Sequence, residues 1–269
     1  MIFNVLSIAG TDPSGGAGSQ ADLKTFSALG VYGASVISAV VAQNTQGVAA
    51  SHHLPPAFVT AQLDTLFDDV RIDAVKIGML GTAGIVAAVA AALLRHRPAF
   101  IVLDPVMVAT SGDQLLAGDA LAALREELLP VVDLVTPNLA EAAALLGEDE
   151  AAVSEEEALG QLERLHRLCP GVLITGGHLG GAESVDLLLL DGTITRLRAP
   201  RVPTRNTHGT GCTLSAAIAA LRPQRPDWAG AVTDAKDYLT GALLAADALD
   251  VGHGHGPVHH LHALWPRGA

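Results

Sequence analysis

Asn206-Thr207-His208-Gly209-Thr210-Gly211-Cys212-Thr213-Leu214-Ser215 is a polar, glycine-spaced loop that leads directly into an Ala-rich helical pattern over residues 216–221. Gly209 and Gly211 are two residues apart and allow a tight turn that gathers backbone N–H groups on one side. The helix adds its unpaired N-terminal N–H groups and the positive end of its dipole. These features predict an anion-binding cradle at the start of the helix.

Cys212 follows the second glycine and is predicted to lie at the mouth of this cradle. A thiol at a helix N-terminus has a lowered pKa and can act as a base or a nucleophile. The alternative interpretation is an ordinary loop beside an inert core thiol. The rest of the chain decides between these two interpretations.

The composition of the chain excludes some classes of binding partner. The chain has 269 residues, is 49% hydrophobic and carries a net charge of −12. The negative charge argues against nucleic acid or an anionic membrane as a main partner. An anionic substrate would therefore need a local positive site, such as helix N-termini, a metal ion or a few basic side chains. Two cysteines without a zinc motif predict a protein of the reducing cytoplasm, and residues 1–9 lack the features of a signal peptide.

Residues 77–94 form an uncharged run that reaches the length of a membrane span. Gly78, Gly81 and Gly84 interrupt the run near its start, and a basic segment follows it. We interpret the run as the end of a strand, a loop and a buried helix, so that no membrane partner is expected.

Strand and helix patterns alternate without a break from residue 1 to about residue 175. An Asp191-Gly192 turn signal then joins two apolar runs, 185–190 and 193–197, as an antiparallel hairpin. We predict one domain over residues 1–269, with a three-layer α/β fold, a mostly parallel central sheet, helices on both faces and an antiparallel edge hairpin. Predicted strands are 4–9, 31–42, 74–77, 100–103, 133–135 and 171–174; predicted helices include 19–29, 56–70, 120–128, 154–168, 213–221 and 227–249.

Polar residues follow several of these strands, where open parallel sheets bind their ligands. The Gln43 amide offers one donor and one acceptor face and suits an aminopyrimidine edge, although a solvated loop is the commoner setting. Asp104 is placed to hold a divalent metal through water, although Asp before Pro also starts turns. Glu141 stands three residues after Asn138, which predicts a capping box or a second carboxylate for the metal.

Eight segments carry a resemblance to a known family and stand in order along essentially the whole chain. Together they resemble the bacterial hydroxymethylpyrimidine/phosphomethylpyrimidine kinases of thiamine biosynthesis, which belong to the ribokinase-like superfamily. The segments are Ala9-Gly10-Thr11-Asp12-Pro13-Ser14-Gly15-Gly16-Ala17-Gly18, Gln43-Asn44-Thr45, Lys76-Ile77-Gly78-Met79-Leu80, Asp104-Pro105-Val106-Met107, Thr136-Pro137-Asn138, Gly176-Gly177-His178, His208-Gly209-Thr210-Gly211-Cys212 and Gly254-His255-Gly256-Pro257.

The resemblance implies ATP-dependent phosphorylation of 4-amino-5-hydroxymethyl-2-methylpyrimidine, followed by a second transfer onto the monophosphate. It also implies Mg²⁺ as cofactor and a cytoplasmic homodimer that binds small molecules. The residues it assigns are Cys212, Gly209 and Gly211 as catalytic; Gln43, Gly10, Met79 and Val106 to the pyrimidine; Asn138, Thr175 and Thr210 to the nucleotide; and Asp104 and Glu141 to the metal.

One position departs from the family pattern. The family usually has Lys before Gly-Gly-His, near the ATP phosphates, and this chain has Thr175. We therefore expect low kinase activity, with Lys24 or Arg205 as a compensating cation. Two other functions stay open: a pyridoxal kinase of the same superfamily, and a non-catalytic sensor that binds a pyrimidine or a nucleotide.

Overall fold

The computed structural model describes residues 1–109, 112–113, 115–177 and 180–265. Its strands are β1 (Asn4–Ala9), β2 (Tyr32–Ile37), β3 (Ala39–Asn44), β4 (Gly47–His53), β5 (Ala74–Ile77), β6 (Ile101–Leu103), β7 (Leu134–Val135), β8 (Gly171–Ile174), β9 (Glu183–Leu190) and β10 (Thr193–Pro200). Its α-helices are α1 (Gly18–Ala28), α2 (Pro56–Asp69), α3 (Ala83–His96), α4 (Ala120–Ala123), α5 (Leu139–Leu146), α6 (Glu155–Leu165), α7 (Thr210–Leu221) and α8 (Trp228–Leu244).

Within the described residues, eight strands form one sheet in the order β10-β9-β8-β7-β6-β5-β1-β2. The strands from β8 to β2 pair in parallel, whereas β9 pairs antiparallel with both β8 and β10. Asp191 and Gly192 both have positive φ, as the tight turn between β9 and β10 requires. The predicted mostly parallel sheet and its antiparallel hairpin are confirmed.

Both faces of the central strands β1 and β5 to β8 are buried, which explains their near-continuous apolar sequences. Alternate residues of each strand point to opposite faces. Leu6 and Val135 contribute to one core, under α2, α3, α5 and α6, while their neighbours Val5 and Leu134 contribute to the other, under α1, α7 and α8. This arrangement gives the predicted three layers.

The predicted strand 31–42 is wrong, because the structure divides it into β2 and β3. Ser38 lies between them and is fully buried; its N–H donates to Ala9 O and its hydroxyl donates to Met79 O at 2.6 Å. Here β3 leaves the main sheet and pairs antiparallel with β4, which the sequence analysis missed. The β3–β4 hairpin carries Gln43 beyond the carboxyl ends of the central strands.

Other differences concern element ends. The segment 120–128 is a short α-helix followed by a π-helical turn over Leu124–Leu128. The helices predicted over 154–168 and 227–249 end earlier, at Leu165 and Leu244. Residues 77–94 form the end of β5, a loop and most of α3, as expected. Among the described residues, no helix is both long and apolar enough to cross a membrane.

Ser154 caps α6 as predicted, since its side chain accepts a hydrogen bond from Glu157 N at 3.2 Å. Replacing Ser154 with Ala should lower the free energy of unfolding by about 1 kcal/mol, because one helix N–H loses its acceptor. Urea unfolding followed by circular dichroism measures this change. A change under 0.3 kcal/mol, about the precision of such comparisons, would contradict the capping role.

Candidate active site

A cavity of about 570 Å³ opens at the carboxyl ends of the parallel strands, beneath the N-terminus of α7. This edge of an open α/β sheet is the usual ligand site. The structure brings every predicted site residue to this one cavity. Its lining includes Gly10, Gln43, Met79, Asp104, Val106, Asn138, Glu141, Thr175, Gly209, Thr210, Gly211 and Cys212.

Strand order sets the length of the cavity. Gly10 follows β1 and Thr175 follows β8, and three strands separate β1 from β8 in the sheet. Four strand spacings of about 4.8 Å place these two ends about 19 Å apart. Asp104, after β6, lies between them, next to the start of α7. The cavity is therefore long enough for two ligands placed end to end.

One end of the cavity is an apolar pocket beneath the β3–β4 hairpin. Ala39, Val41 and Met79 form a small buried cluster, and Val106 and Leu115 pack against it. This cluster can hold a flat ring against the start of the loop that follows β1.

Gly10 and Gln43 bound the same pocket. A Cβ atom on Gly10 would lie 2.5 Å from Met79 Cε, so only glycine leaves this wall undisturbed. The Gln43 side chain lies close enough to the Asp12 carboxylate to help lower the pKa of that carboxylate. Because an ionised carboxylate accepts only, the Gln43 amide must turn its NH₂ group toward Asp12. One N–H and the amide oxygen of Gln43 then remain for a ligand.

Asp12 joins the loop after β1 to the predicted anion cradle. Its buried carboxylate accepts backbone N–H groups of its own loop and the Nε2–H of His208, at 2.8 Å. Burial alone would raise the pKa of Asp12, but the hydrogen bonds from His208, Ser14 and Gln43 outweigh it and hold the pKa well below its usual range. The sequence analysis did not predict this contact, which spans 196 residues.

The cradle has the predicted geometry. Gly209 precedes the first turn of α7 with φ +78°, a left-handed conformation that favours glycine. A Cβ atom there would overlap the Gly16 carbonyl oxygen, so the loop after β1 packs directly against the cradle. Gly211 lies beside Asp104, since a Cβ on it would be 3.8 Å from both carboxylate oxygens. The Asp104 carboxylate therefore lies against the first turns of α7, where its Oδ2 also accepts a hydrogen bond from the Ser215 hydroxyl at 3.2 Å.

Asp104 and Glu141 form a pair of buried carboxylates. Burial, and then the charge of Asp104, raises the pKa of Glu141 to about 8, and burial raises that of Asp104. The predicted capping box is present as well, because Asn138 N donates to Glu141 Oε2 and Glu141 N donates to Asn138 Oδ1. The capping box uses Glu141 Oε2, and the Met107 backbone N–H also acts on the carboxylate. The carboxylate still lines the cavity, so one side chain can cap α5 and face a ligand.

This pair suits a cation that keeps most of its water. Among the described residues, no group of three His, Cys, Asp or Glu side chains is arranged to hold a metal directly. Mg²⁺ is commonly held by one or two carboxylates, with water and phosphate oxygens completing its shell. Asp104 and Glu141 fit that pattern and not a closed protein site.

A buried ion pair lies beneath the cradle. Lys76 Nζ contacts Asp22 Oδ1 at 2.9 Å and Asp104 Oδ2 at 3.9 Å, and the Ser7 hydroxyl donates to Asp22. Burial alone would lower the pKa of Lys76, but the charge of Asp22 outweighs it and the pKa is raised. Lys76 is therefore a permanent cation below the site. A charged residue within the apolar run of β5 was the available signal for it.

Cys212 lies in the cavity, but its predicted low pKa is wrong. Burial, together with the charges of Asp104 and Asp22, raises the pKa of the thiol to about 12, although Lys76 acts in the opposite direction. A helix N-terminus contributes about 0.3–1 kcal/mol, less than one pKa unit, and cannot offset these effects. Substrate-free Cys212 is a thiol at neutral pH.

Comparison with known proteins identifies the family of this chain. The family model described as phosphomethylpyrimidine kinase matches residues 12–259 of the chain. The chain belongs to the phosphomethylpyrimidine kinase family. It is 58% identical to the hydroxymethylpyrimidine/phosphomethylpyrimidine kinase of Escherichia coli, over 98% of this chain and 99% of that protein. The protein of the same name from Rhizobium meliloti is 55% identical, over 97% of each chain.

Solved structures connect this phosphomethylpyrimidine kinase family member to vitamin kinases with the same fold. An ADP complex of Bacillus subtilis pyridoxal kinase matches with a TM-score of 0.90 and 34% identity, over 98% of this chain and 99% of that one. The phosphomethylpyrimidine kinase of Clostridium difficile matches with a TM-score of 0.79 and 38% identity, over 90% and 99%. The predicted ribokinase-like fold is thereby confirmed.

The far end of this kinase's cavity contains Thr175, where the family usually has Lys. Thr175 N donates to Pro137 O, which holds the loop after β8 beside Asn138, whereas His178 of the same motif lies outside the described residues. The expectation that Lys24 or Arg205 compensates is not supported, because neither lines the cavity. Lys24 instead donates to Gly15 O at 2.7 Å, in the loop after β1.

Proposed function

We propose that this protein transfers the γ-phosphoryl group of ATP to the hydroxymethyl oxygen of 4-amino-5-hydroxymethyl-2-methylpyrimidine, and then phosphorylates the monophosphate to the diphosphate. One observation carries the proposal: a ring pocket, an anion cradle and a carboxylate pair lie in sequence along a single cavity. The free amide atoms of Gln43 match the acceptor nitrogen and the amino group of an aminopyrimidine edge. The end of the cavity away from the ring pocket is long enough to hold ATP as the phosphoryl donor.

In the first transfer, the substrate hydroxyl attacks the γ-phosphorus, the new O–P bond forms and ADP leaves. Backbone N–H groups at Gly209, Gly211 and Cys212 stabilise the charge that builds on the phosphoryl oxygens. The small thiolate fraction of Cys212, which its raised pKa leaves near neutral pH, accepts the hydroxyl proton. A divalent cation held by Asp104 and Glu141 would supply further charge neutralisation on the phosphates. The protein itself contributes orientation and preorganised dipoles, which is what phosphoryl transfer requires.

The second transfer has a different nucleophile. The monophosphate is largely ionised near pH 7, so its oxygen attacks without losing a proton to the protein. Its negative charge also falls beside the cradle. The same cavity therefore accommodates both acceptors, while only the first of them requires a base.

Two alternatives are separated by one assay. The structural likeness to pyridoxal kinases favours pyridoxal as a competing acceptor. A coupled measurement of ADP release, with the hydroxymethylpyrimidine, its monophosphate and pyridoxal in parallel, should give a kcat/KM at least about tenfold higher for the pyrimidine, which corresponds to 1.4 kcal/mol of preference. A preference for pyridoxal would replace the proposal. Absence of pyrimidine-dependent ATP turnover would instead favour a binding sensor.

Mg²⁺ dependence, a homodimer and a cytoplasmic location belong to the same proposal and stay predictions. We also treat residues 1–269 as one kinase domain, because eight strands, from β1 at Asn4–Ala9 to β10 at Thr193–Pro200, pair in one sheet. Titration of Mg²⁺ in the assay and sedimentation analysis test the first two of these points.

Replacing Thr175 with Lys should raise kcat/KM for ATP about 3- to 10-fold, because a cation beside the phosphates adds a charge-assisted contact. The KM for the pyrimidine should not change, since Thr175 lies about 19 Å from the ring pocket by strand spacing. Thr175→Met is the control, with a long uncharged side chain at the same position. Equal rates for the Lys and Met variants would show that charge at this position has no effect on the reaction.

A further inference from the structure

Lys236 lies at the far end of the cavity, on α8. The cavity-facing side of α8 contains Lys236, Leu239, Thr240 and Leu243, which share one helical face by their spacing. Lys236 is only 7% exposed. A buried ammonium group on a cavity wall of an otherwise acidic protein requires an explanation, because lysine is almost never buried without a partner.

Asp186, on β9, is the partner of Lys236. Lys236 Nζ donates to Asp186 Oδ2 at 2.6 Å, and the other oxygen, Oδ1, accepts from Gly176 N at 3.0 Å. The same carboxylate therefore fixes the lysine and the backbone that follows Thr175. Because an ammonium group has three donors, two N–H groups of Lys236 are not used by Asp186.

Two other cationic side chains of the cavity wall, Lys76 and Arg201, contact other partners. Lys76 lies below the cradle and is fully enclosed between Asp22 and Asp104. Arg201 donates to the carbonyl oxygens of Gly177, Gly181 and Glu183, and so spans the loop between β8 and β9. Lys236 is thus the lysine placed beside Thr175.

We propose that Lys236 binds the phosphate chain of the nucleotide while it stays anchored to Asp186, and that it supplies the cation that Thr175 does not. The inference rests on the proposed kinase function and adds a nucleotide-binding residue to it. A lysine behaves as a point charge toward phosphate and needs no fixed fork geometry. Lys236 therefore offers two charge-assisted hydrogen bonds to phosphate oxygens without breaking its ion pair.

The test measures ADP binding by calorimetry in the presence of Mg²⁺ and without any acceptor. Lys236→Met should raise the Kd for ADP about 10- to 100-fold. Because this variant leaves Asp186 buried without its counter-charge, a second variant, Lys236→Met with Asp186→Asn, removes both charges and keeps an acceptor for Gly176 N. This double variant should show the same 10- to 100-fold increase in the Kd for ADP. Arg164→Met, which removes one positive charge from a surface ion pair on α6, should bind ADP as the parent does.

Rescue distinguishes nucleotide binding from a structural role. Thr175→Lys added to the charge-free double variant should recover most of the lost ADP affinity, whereas pyrimidine binding should stay within about twofold of the parent in every variant, since distant sites act independently. Unchanged ADP affinity in the double variant would overturn the inference. So would parallel loss of pyrimidine and ADP binding, or a parent protein that binds no ADP. Failure of pyrimidine turnover alone would affect only the proposed acceptor, because ADP binding is measured without it.

Discussion

Replacing Cys212 with Ala is expected to slow the first phosphoryl transfer about 10²- to 10⁴-fold and the second less than about tenfold. The first acceptor is a neutral alcohol, whose proton must leave as the O–P bond forms. The second acceptor is already an anion. Loss of a base therefore affects the two steps unequally, even though both take place at the same cradle.

The pH dependence of the first step provides a second measurement. The pKa of the thiol is raised to about 12 in the substrate-free protein. Below the pKa of a base its deprotonated fraction rises about tenfold per pH unit, so the first transfer should accelerate with pH between about pH 6 and 8. A cation held by Asp104 would cancel one of the charges that raise this pKa. In Cys212→Ala the slope should become shallower, because Glu141, whose pKa is raised to about 8, still titrates near this range.

Separate single-turnover assays with the alcohol and with the monophosphate give the two rates. Cys169→Ala is the control, because this second free thiol is buried in the core beneath β7 and β8. The Cys169→Ala variant should transfer phosphate to the alcohol and to the monophosphate at the rates of the parent protein. Equal losses for the two acceptors in Cys212→Ala would exclude a base role and leave Cys212 as part of the cavity wall.

Replacing Gly209 with Ala is expected to reduce kcat/KM about 10²- to 10³-fold for both acceptors, the cost of losing an oxyanion-type donor. The residue has φ +78°, and an added Cβ would overlap the Gly16 carbonyl oxygen. Since backbone cannot yield as a flexible side chain does, the first turn of α7 must shift away from the loop after β1. The N–H groups then no longer converge on the phosphoryl group.

Gly192→Ala separates backbone strain from damage to the cradle. Gly192 has a similar φ of +73°, in the turn between β9 and β10, but no atom lies within 4 Å of a Cβ placed there. This substitution should cost about 1 kcal/mol of stability without changing the kinetics. Thermal unfolding and steady-state kinetics of both variants provide the comparison. A Gly209→Ala protein with more than a tenth of the parent activity would exclude the proposed role of Gly209.

Much of the fold follows from local sequence patterns. Apolar runs bounded by polar loops predicted most of the main sheet, and Ser154 and Asn138 predicted two helix caps that the structure contains. The β3–β4 hairpin was missed because residues 31–42 have one continuous strand-forming composition. Their division depends on the contacts of Ser38 with Ala9 and Met79, which are distant in sequence.

The site was predicted as a set of residues but not as an electrostatic environment. Gly-rich loops at strand ends have a local signature, so the cradle and its neighbours could be named from the sequence. The pKa of Cys212 depends on burial and on Asp104, Asp22 and Lys76, which come from three other segments. Partnerships such as Lys236 with Asp186 likewise form only when the chain is folded.

The contact between Asp12 and His208 has a consequence for synthesis of the chain. The two residues leave the ribosome 196 positions apart, and Gly254, whose N–H donates to Thr45 Oγ1 on the β3–β4 hairpin, emerges later still. Early strands can pair while translation continues, but the catalytic pocket requires segments from both ends of the polypeptide. A stalled or prematurely terminated product therefore lacks a working phosphotransfer centre and does not consume ATP.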